Sequence, residues 1–473
     1  MKQTEAFKQR INDALHNDQL RANFRHAMSG VMEKRATQFS DNDLLQDRRA
    51  LSHNIRTQAV AHQAELLQKL EKKLISNGIH VHWAETAEQA NDLTFNILQE
   101  NKVERLVKGK SMVTEEIGLN DYLISRGIEV TESDLGEFII QLAGEPPSHI
   151  VAPAIHKSKR DIAKLFQRYF PQLDYSEDVE QMTEQARNLL RNKFAQADAG
   201  ISGVNFAVAE TGTLCLVENE GNGRLSTTAP RLHIALTGIE KVVAKLTDVP
   251  PLLDILTKSA TGQPITTYFN MISKPRQRNE KDGPQQVHLI LLDNGRSQIR
   301  SDVDLSHTLD CIRCGACINH CPVYVQVGGH AYGSVYPGPI GAVLEPQRLG
   351  LDQAGILTSA CTLCGACGEV CPVKIPLPKL INQLRADSVA PQGYHRKIKK
   401  SGSLRTWQES SFWRLWKTVY SSKKLYPLLS WSTTRLAKFL PKQLVGWSRY
   451  RLMPRPAKKS LHEMAKQAGF SDE

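Results

Sequence analysis

The chain has 473 residues, 41% hydrophobic and 23% charged, long enough to bury several cores without disulfide staples. No apolar run approaches the roughly 18 residues of a membrane span, and the polar start MKQTEAFKQRINDALHND lacks the apolar centre of a signal peptide, so a cytoplasmic location is expected. The net charge of +11 is a local property: Arg396 to Lys459 holds 17 Lys or Arg against the single acid Glu409, so the remainder is acidic and the chain as a whole does not read as a nucleic-acid binder.

Four segments follow in chain order. Residues 1–75 read as helices through periodic runs such as FKQRINDAL and RTQAVAHQAELLQKLEKKLI, without a chemical motif. Residues 76–298 alternate. IHVHW, VERLV, IEVTES and EFIIQLA read as strands, AEQANDLTFNILQE and MVTEEIGLNDYLISRG as helices, and VNFAVAETGTLCLVEN, RLHIALTG and VHLILLDN as β-rich. Interleaved strands and helices predict an α/β domain with a largely parallel sheet. Residues 299–390 carry eight of the nine cysteines in short helices and turns around a Gly/Pro-rich connector. Residues 391–473 form a basic region with five of the six tryptophans.

The chemistry lies in a duplicated motif. Cys311, Cys314, Cys317 and Cys321-Pro322 repeat as Cys361, Cys364, Cys367 and Cys371-Pro372, both with the C-x2-C-x2-C-x3-C-P spacing of cubane ferredoxins. Three thiolates at two-residue intervals let one tight loop face three irons of a cube. Gly315, Ala316, Gly365 and Ala366 let the backbone approach the sulfides. In two-cluster ferredoxins the fourth cysteine serves the other cluster. Two [4Fe–4S] clusters are therefore expected, one on Cys311, Cys314, Cys317 and Cys371, the other on Cys361, Cys364, Cys367 and Cys321. Zinc is the competing reading, but structural zinc sites use two ligand pairs across a longer insertion. His320 reads as a polar neighbour of Cys321, and the ninth cysteine, Cys215, as a buried strand residue.

Two loops of the α/β segment are candidates for binding a small acid. Lys108-Gly109-Lys110-Ser111 follows a strand and opens a helix. Glu210 and Thr211, with Glu218, Arg224 and Thr227, lie among glycines between strands, where Arg224 is suited to clamp a carboxylate. The competing reading makes these ordinary turn residues. No catalytic base is assigned; His149, His156 and His233 are candidates. No G-x-G-x-x-G follows a strand where a nucleotide fold needs it. In the tail, FWRLWKTVY places Phe412, Trp413, Leu415, Trp416, Val419 and Tyr420 on one helical arc, with Lys423, Lys424, Arg435 and Lys438 nearby. Three uses fit: packing on the cluster module or a partner, lying on an anionic membrane surface, or binding nucleic acid.

GISGVNFAVAETGTLCLVENEGNGRLSTTAPRLHIALTGIEKVV (200–243) resembles the signature of the lactate-utilization (LUD) domain, and GGHAYGSVYPGPIGAVLEP (328–346) is similar to the stretch between the cysteine motifs of the lactate-utilization protein B family. The resemblance implies an α/β LUD domain similar to the sugar-isomerase, CoA-transferase and formyltetrahydrofolate cyclo-ligase group, then an α-helical two-cluster ferredoxin module and a helical basic tail. It also implies NAD-independent oxidation of L-lactate to pyruvate with two partners, a cysteine-rich subunit and a smaller LUD protein, and leaves open a peripheral position at the inner membrane face. Two alternatives remain: a LUD domain that itself oxidises a small acid with the clusters as exit wire, and a redox-sensing iron–sulfur scaffold.

Overall fold

The computed structural model describes residues 2–390, Ile398, 407–436 and 457–470. Four helices open the chain: α1 (Lys2–His16), α2 (Asp18–Gln38), α3 (Asn42–Ala61) and α4 (Gln63–Ser76). Asn17 and Asp41 start α2 and α3 by accepting backbone N–H bonds from Leu20 and Leu44, which satisfies donors that a helix start leaves unpaired.

The α/β domain is built on ten strands: β1 (His80–Ala84), β2 (Arg105–Lys108), β3 (Glu129–Glu132), β4 (Ala199–Ser202), β5 (Phe206–Val208), β6 (Thr213–Glu218), β7 (Leu232–Gly238), β8 (Val242–Val243), β9 (Tyr268–Ile272) and β10 (Gln286–Leu292). Six form a wholly parallel sheet in the order β1-β10-β7-β4-β2-β3. A parallel sheet needs cover on both faces. Accordingly β7 is buried at every position, and residues of alternate register feed two separate apolar layers: Ile234, Leu236 and Ile290 in one, Ala235, Leu289 and Leu291 in the other. β8, β5, β6 and β9 make a second, four-stranded sheet around the antiparallel β5–β6 hairpin.

One local expectation fails. EFIIQLA is a helix, Leu135–Ala143, and not a strand. Asp134 caps its start by accepting from Glu137 N, and Gly144 at φ +65° ends it, so the cap residues outweigh the β-like composition of the run. MVTEEIGLNDYLISRG forms two short helices, Met112–Glu116 and Leu119–Ile124, broken where Gly118 takes φ +63°. β9, in YFNMI, falls in a stretch that carried no strand reading.

The cysteine region contains short α and 3-10 helices around a longer helix, Gly338–Leu349, and closes with the helix Leu377–Val389. It does not stand apart. One continuous apolar core contains Phe7 and Phe24 of the N-terminal helices, Phe206 and Val243 of the α/β domain, and Leu305, Tyr324 and Leu380 of the cysteine region. Residues 1–402 accordingly form a single compact unit, and residues 403–473 a second. In the second, the helices Trp407–Ser421 and Leu425–Arg435 contain no buried residue, and Trp416 makes ring contacts with Trp413 and Tyr420 on the surface. Lys438 and the basic residues Arg396 to Arg405 lie outside the described residues. No helix among the described residues is long and apolar enough to cross a membrane.

Candidate metal centre

Each cysteine motif begins with the same backbone device. The residue before the second cysteine takes a left-handed conformation, Arg313 at φ +61° and Leu363 at φ +56°, and the glycine after it does too, Gly315 at +77° and Gly365 at +89°. Left-handed backbone costs a non-glycine residue free energy, so two such positions in register mark a conformation that the surroundings impose. The result is a loop that turns amide N–H groups inward: Arg313 N lies 3.4 Å from Cys311 Sγ and Leu363 N 3.3 Å from Cys361 Sγ. Ile375 N donates to Cys371 Sγ at 3.3 Å.

The thiols fall into two groups that cross the motifs. Burial pushes the Cys314 thiol well above its ordinary range, and Cys311 and Cys371 push it further the same way. Burial is also the first cause at Cys321, whose thiol neighbours are Cys361 and Cys364 of the other motif. Cys367, pushed up to about 12, has burial first and then Cys321, Cys361 and Cys364 as causes. Cys317 neighbours Cys311, Cys314 and Cys371, and also Cys367, so these two residues mark where the groups approach. The group containing Cys311 is the more enclosed; in the other, Cys364 is exposed.

The spacing of the sulfurs tests what such groups can hold. Four sulfurs on one tetrahedral zinc, at ~2.3 Å from the metal, sit about 3.8 Å apart. Among the described residues no three cysteine sulfurs lie within 4.8 Å of one another. The thiols are therefore too widely spread for one zinc ion and suit the corners of a larger inorganic core. The second group lines a cavity whose other walls are apolar, including Pro322, Pro339, Pro378 and Ile381.

A basic shell surrounds the first group, and nothing in the residue pattern announces it. Arg49 Nε donates to Cys371 O at 2.9 Å and its Nη2 to Gly368 O at 3.2 Å; Arg35 Nη2 reaches Val370 O at 3.3 Å. Arg56, buried on α3, donates to Leu309 O at 3.0 Å and Asp310 O at 3.3 Å. Arg313 stacks its guanidinium over Tyr336, 4.8 Å from the ring centre. Burial lowers the pKa of Arg35 and Arg49, helped at Arg35 by the neighbouring Arg49 cation, while the nearby thiols act in the opposite direction. These arginines lie within helical periodicities that read as amphipathic surface; a fully buried Arg56 at 1% exposure is not visible in that pattern. Behind the shell, Arg296 joins Glu116 at 2.8 Å and Glu240 at 2.6 Å, and Arg313 and Arg348 extend the network.

The acid-binding candidates separate. β2 runs on to β3 on one side and its neighbour β4 runs on toward β7 on the other, so the connections diverge between them, the switch point whose carboxyl-end crevice is the ligand position of open α/β sheets. Lys110 and Ser111 sit there. Lys110 Nζ donates to Val151 O, and Ser111 Oγ caps the following helix at Thr114 N. Glu218 accepts from Gly223 N and Arg224 N, both at 2.9 Å, Thr227 is buried, and the Arg224 side chain is exposed. Glu210 and Thr211 lie at the other end of β6, about 17 Å along an extended strand. There Leu246 N donates to Glu210 Oε2 and Asn77 Nδ2 donates to Thr211 O.

Two more groups lie buried beside Lys110 and Ser111: Lys108, from the first candidate loop, and Glu137, which the sequence did not single out. Lys108 is fully buried, with Glu132 at 2.7 Å and Glu115 at 3.2 Å. Burial works against its ammonium, but the two carboxylates outweigh it and hold its pKa above the ordinary value. Glu137 is raised to about 8 by burial and then by Glu132, and Glu132 Oε2 and Glu137 Oε1 have no hydrogen-bond partner. The histidine candidates are occupied: His149 bonds Asn319 Oδ1 at 2.9 Å, His233 bonds Ser202 Oγ at 2.8 Å, and His156 bonds Glu145 at 2.6 Å. His320 Nδ1 bonds Ala316 O at 2.9 Å, and Cys215 is buried with its thiol pushed up to about 12 by desolvation.

A parallel α/β domain packed on a helical module with two interleaved cysteine motifs defines an iron–sulfur protein of the dicluster class. Residues 307–375 match the 4Fe-4S dicluster domain, residues 67–292 the LUD domain, and residues 383–470 the C-terminal domain of lactate utilisation protein B. Relatives named lactate utilization protein B align over nearly all of the chain: one from Bacillus velezensis is 39% identical over 98% of this chain and 97% of its own length, and one from Bacillus subtilis 39% over 97% and 96%. One from Bacillus pumilus is 43% identical over 82% of both chains. The chain belongs to the lactate utilization protein B family. The crystal structure of a DUF162 family protein from Deinococcus radiodurans covers 49% of this chain and 98% of its own at 16% identity, with a TM-score of 0.29.

Proposed function

We propose that this chain is the iron–sulfur electron-transfer subunit of a multi-component system that oxidises L-lactate to pyruvate and supports growth on lactate. The reading rests on two adjacent groups of four thiols, one enclosed and one reaching the surface, whose sulfurs are too far apart for a single zinc ion. Cys311, Cys314, Cys317 and Cys371 hold one [4Fe–4S] cluster; Cys361, Cys364, Cys367 and Cys321 hold the other. When bound, such clusters carry one electron each. The chain's own residues enclose the first group, aim amide N–H groups at its sulfurs and surround it with arginine. The exposed Cys364 suits contact between the second group and a partner.

The partners are a cysteine-rich subunit and a smaller LUD protein, in keeping with the name its relatives bear. The protein works in the cytoplasm, with the Trp-rich basic tail on the inner membrane face. Its exposed aromatic side chains and cations suit an anionic surface. A second reading has the LUD crevice, with Lys110, Ser111 and the unpartnered oxygens of Glu132 and Glu137, turn over the acid itself.

Anaerobic protein is tested for cluster reduction by L-lactate, with and without the two partners, using low-temperature EPR. Reduction only with partners supports the first reading, and reduction by lactate alone supports the second. Absence of reduction in both arms overturns both.

A further inference from the structure

The segment from Glu145 to Lys157 of the LUD domain lies against the connector between the cysteine motifs. The contact is close: a Cβ on Gly329 would fall 1.8 Å from Ser148 O, and Tyr324 Oη donates to Ser148 O at 2.7 Å. At its margin, one donor atom each from Glu145, His156 and His330 lie within 4.8 Å of one another, and among the described residues this is the one such trio of potential metal-binding side chains. His156 and His330 meet edge to face, with ring centres 4.5 Å apart.

The hydrogen bonds assign the protons. His330 Nε2 lies 2.8 Å from the Pro146 carbonyl oxygen, which only accepts, so Nε2 carries the hydrogen and Nδ1 is left with a bare lone pair. His156 Nε2 lies 2.6 Å from a Glu145 carboxylate oxygen, which again places the hydrogen on Nε2. Its Nδ1 is buried without a partner, on a side chain only 7% exposed. Burial lowers the His156 pKa, and His330 and Lys157 act in the same direction, so the neutral ring persists although Glu145 pulls the other way. Two neighbouring imidazoles, each with one N–H tied to a carboxylate or a backbone carbonyl and the other nitrogen bare, are the arrangement of metal-binding histidines with their supporting hydrogen bonds. Lys157 sets its ammonium on the second Glu145 oxygen at 2.5 Å.

We propose that His156 and His330, through their free Nδ1 atoms, bind a divalent first-row transition ion of the zinc type, with Glu145 holding the His156 Nε2 hydrogen and water completing the ion's shell, and that the ion pins the LUD segment to the connector between the cysteine motifs. Imidazole nitrogen and water oxygen suit such an ion and do not suit an iron–sulfur core. No electron or bond changes hands; the site is structural and lies outside the eight cysteines.

The test uses anaerobic protein with its clusters intact, dialysed against chelator and titrated with zinc. One zinc per chain is expected beyond the iron, with an absorption-edge spectrum showing nitrogen and oxygen neighbours. Removing one ligand with His330→Ala, at a partly exposed position, is expected to weaken binding by more than the roughly 100-fold that losing a supporting partner costs at most. Glu145→Gln is expected to weaken it as well, with iron content unchanged in both variants. Zinc with a sulfur shell, affinity unchanged in both variants, or no binding by the wild type at 100 times the micromolar range would overturn the proposal.

Discussion

Arg49 and Cys371 are 322 positions apart, yet the guanidinium Nε of the first donates to the carbonyl oxygen of the second at 2.9 Å. A helix without a recognisable motif thus supplies the charge beside the last cysteine of the chain.

Replacing Arg49 with Gln removes a cation next to the first thiol group and two hydrogen bonds to the loop that carries Cys371. A bond from a charged donor contributes about 1.5–3 kcal/mol, so a loss of stability of that order is expected in chemical denaturation. The midpoint potential of one cluster should fall while the other stays in place, read by EPR-monitored titration. Arg49→Lys should restore part of the potential and little of the stability.

The crossed thiol groups predict a crossed phenotype. Cys371→Ala should damage the cluster associated with Cys311, and Cys321→Ala the one associated with Cys361. In each case iron should fall from about 8 toward about 4 per chain. Damage confined to the variant's own motif would point to uncrossed ligation.

Arg296 is buried between Glu116 and Glu240. Arg296→Met leaves two buried carboxylates without their main partner, a change worth about 3–5 kcal/mol. Thermal unfolding of the cluster-loaded protein should shift accordingly.

The same network sets a pH dependence. Burial raises the Glu116 pKa, but Arg296 and Arg348 outweigh it and hold it at about 2, below the ordinary 4.5. A depressed carboxyl contributes stability above its unfolded pKa and loses it as pH falls toward the folded value. The stability advantage of wild type over Glu116→Gln should therefore be full above about pH 5 and shrink progressively below it. An advantage that does not change between pH 6 and pH 3 would remove Glu116 from the account.

Trp413→Ala combined with Trp416→Ala alters exposed rings on a helix with no buried residue. Iron content and melting temperature should stay unchanged. Binding to anionic vesicles should drop and should weaken further with salt, since each Lys or Arg near such a surface contributes about 1 kcal/mol.

The cysteine spacing was readable because cluster ligation demands a fixed local pattern, and the central strands because β7 and β10 are continuous apolar runs. EFIIQLA misled because β-branched and aromatic content weighs toward a strand, while the decision lay with the caps Asp134 and Gly144. Lys110 and Glu210 sat in neighbouring candidate sets, but a strand carries its two ends far apart, and only the fold shows that Glu210 and Thr211 fall outside the crevice. Arg35, Arg49 and Arg56 were illegible because a helical period reports which face is apolar and says nothing about an arginine turned inward onto carbonyl oxygens. The Glu145, His156 and His330 trio joins two segments more than 170 positions apart, beyond any local signal.

The interleaving of the thiol groups bears on how the protein is made. A ribosome that has produced Cys311, Cys314 and Cys317 has not yet produced Cys371, so the first group cannot close while the chain is still emerging. The machinery that delivers iron and sulfide must wait for a nearly finished polypeptide, and during that delay three thiols stand open to oxygen and to stray zinc. Slowing translation between the two motifs should therefore lower the yield of loaded protein in air far more than under nitrogen.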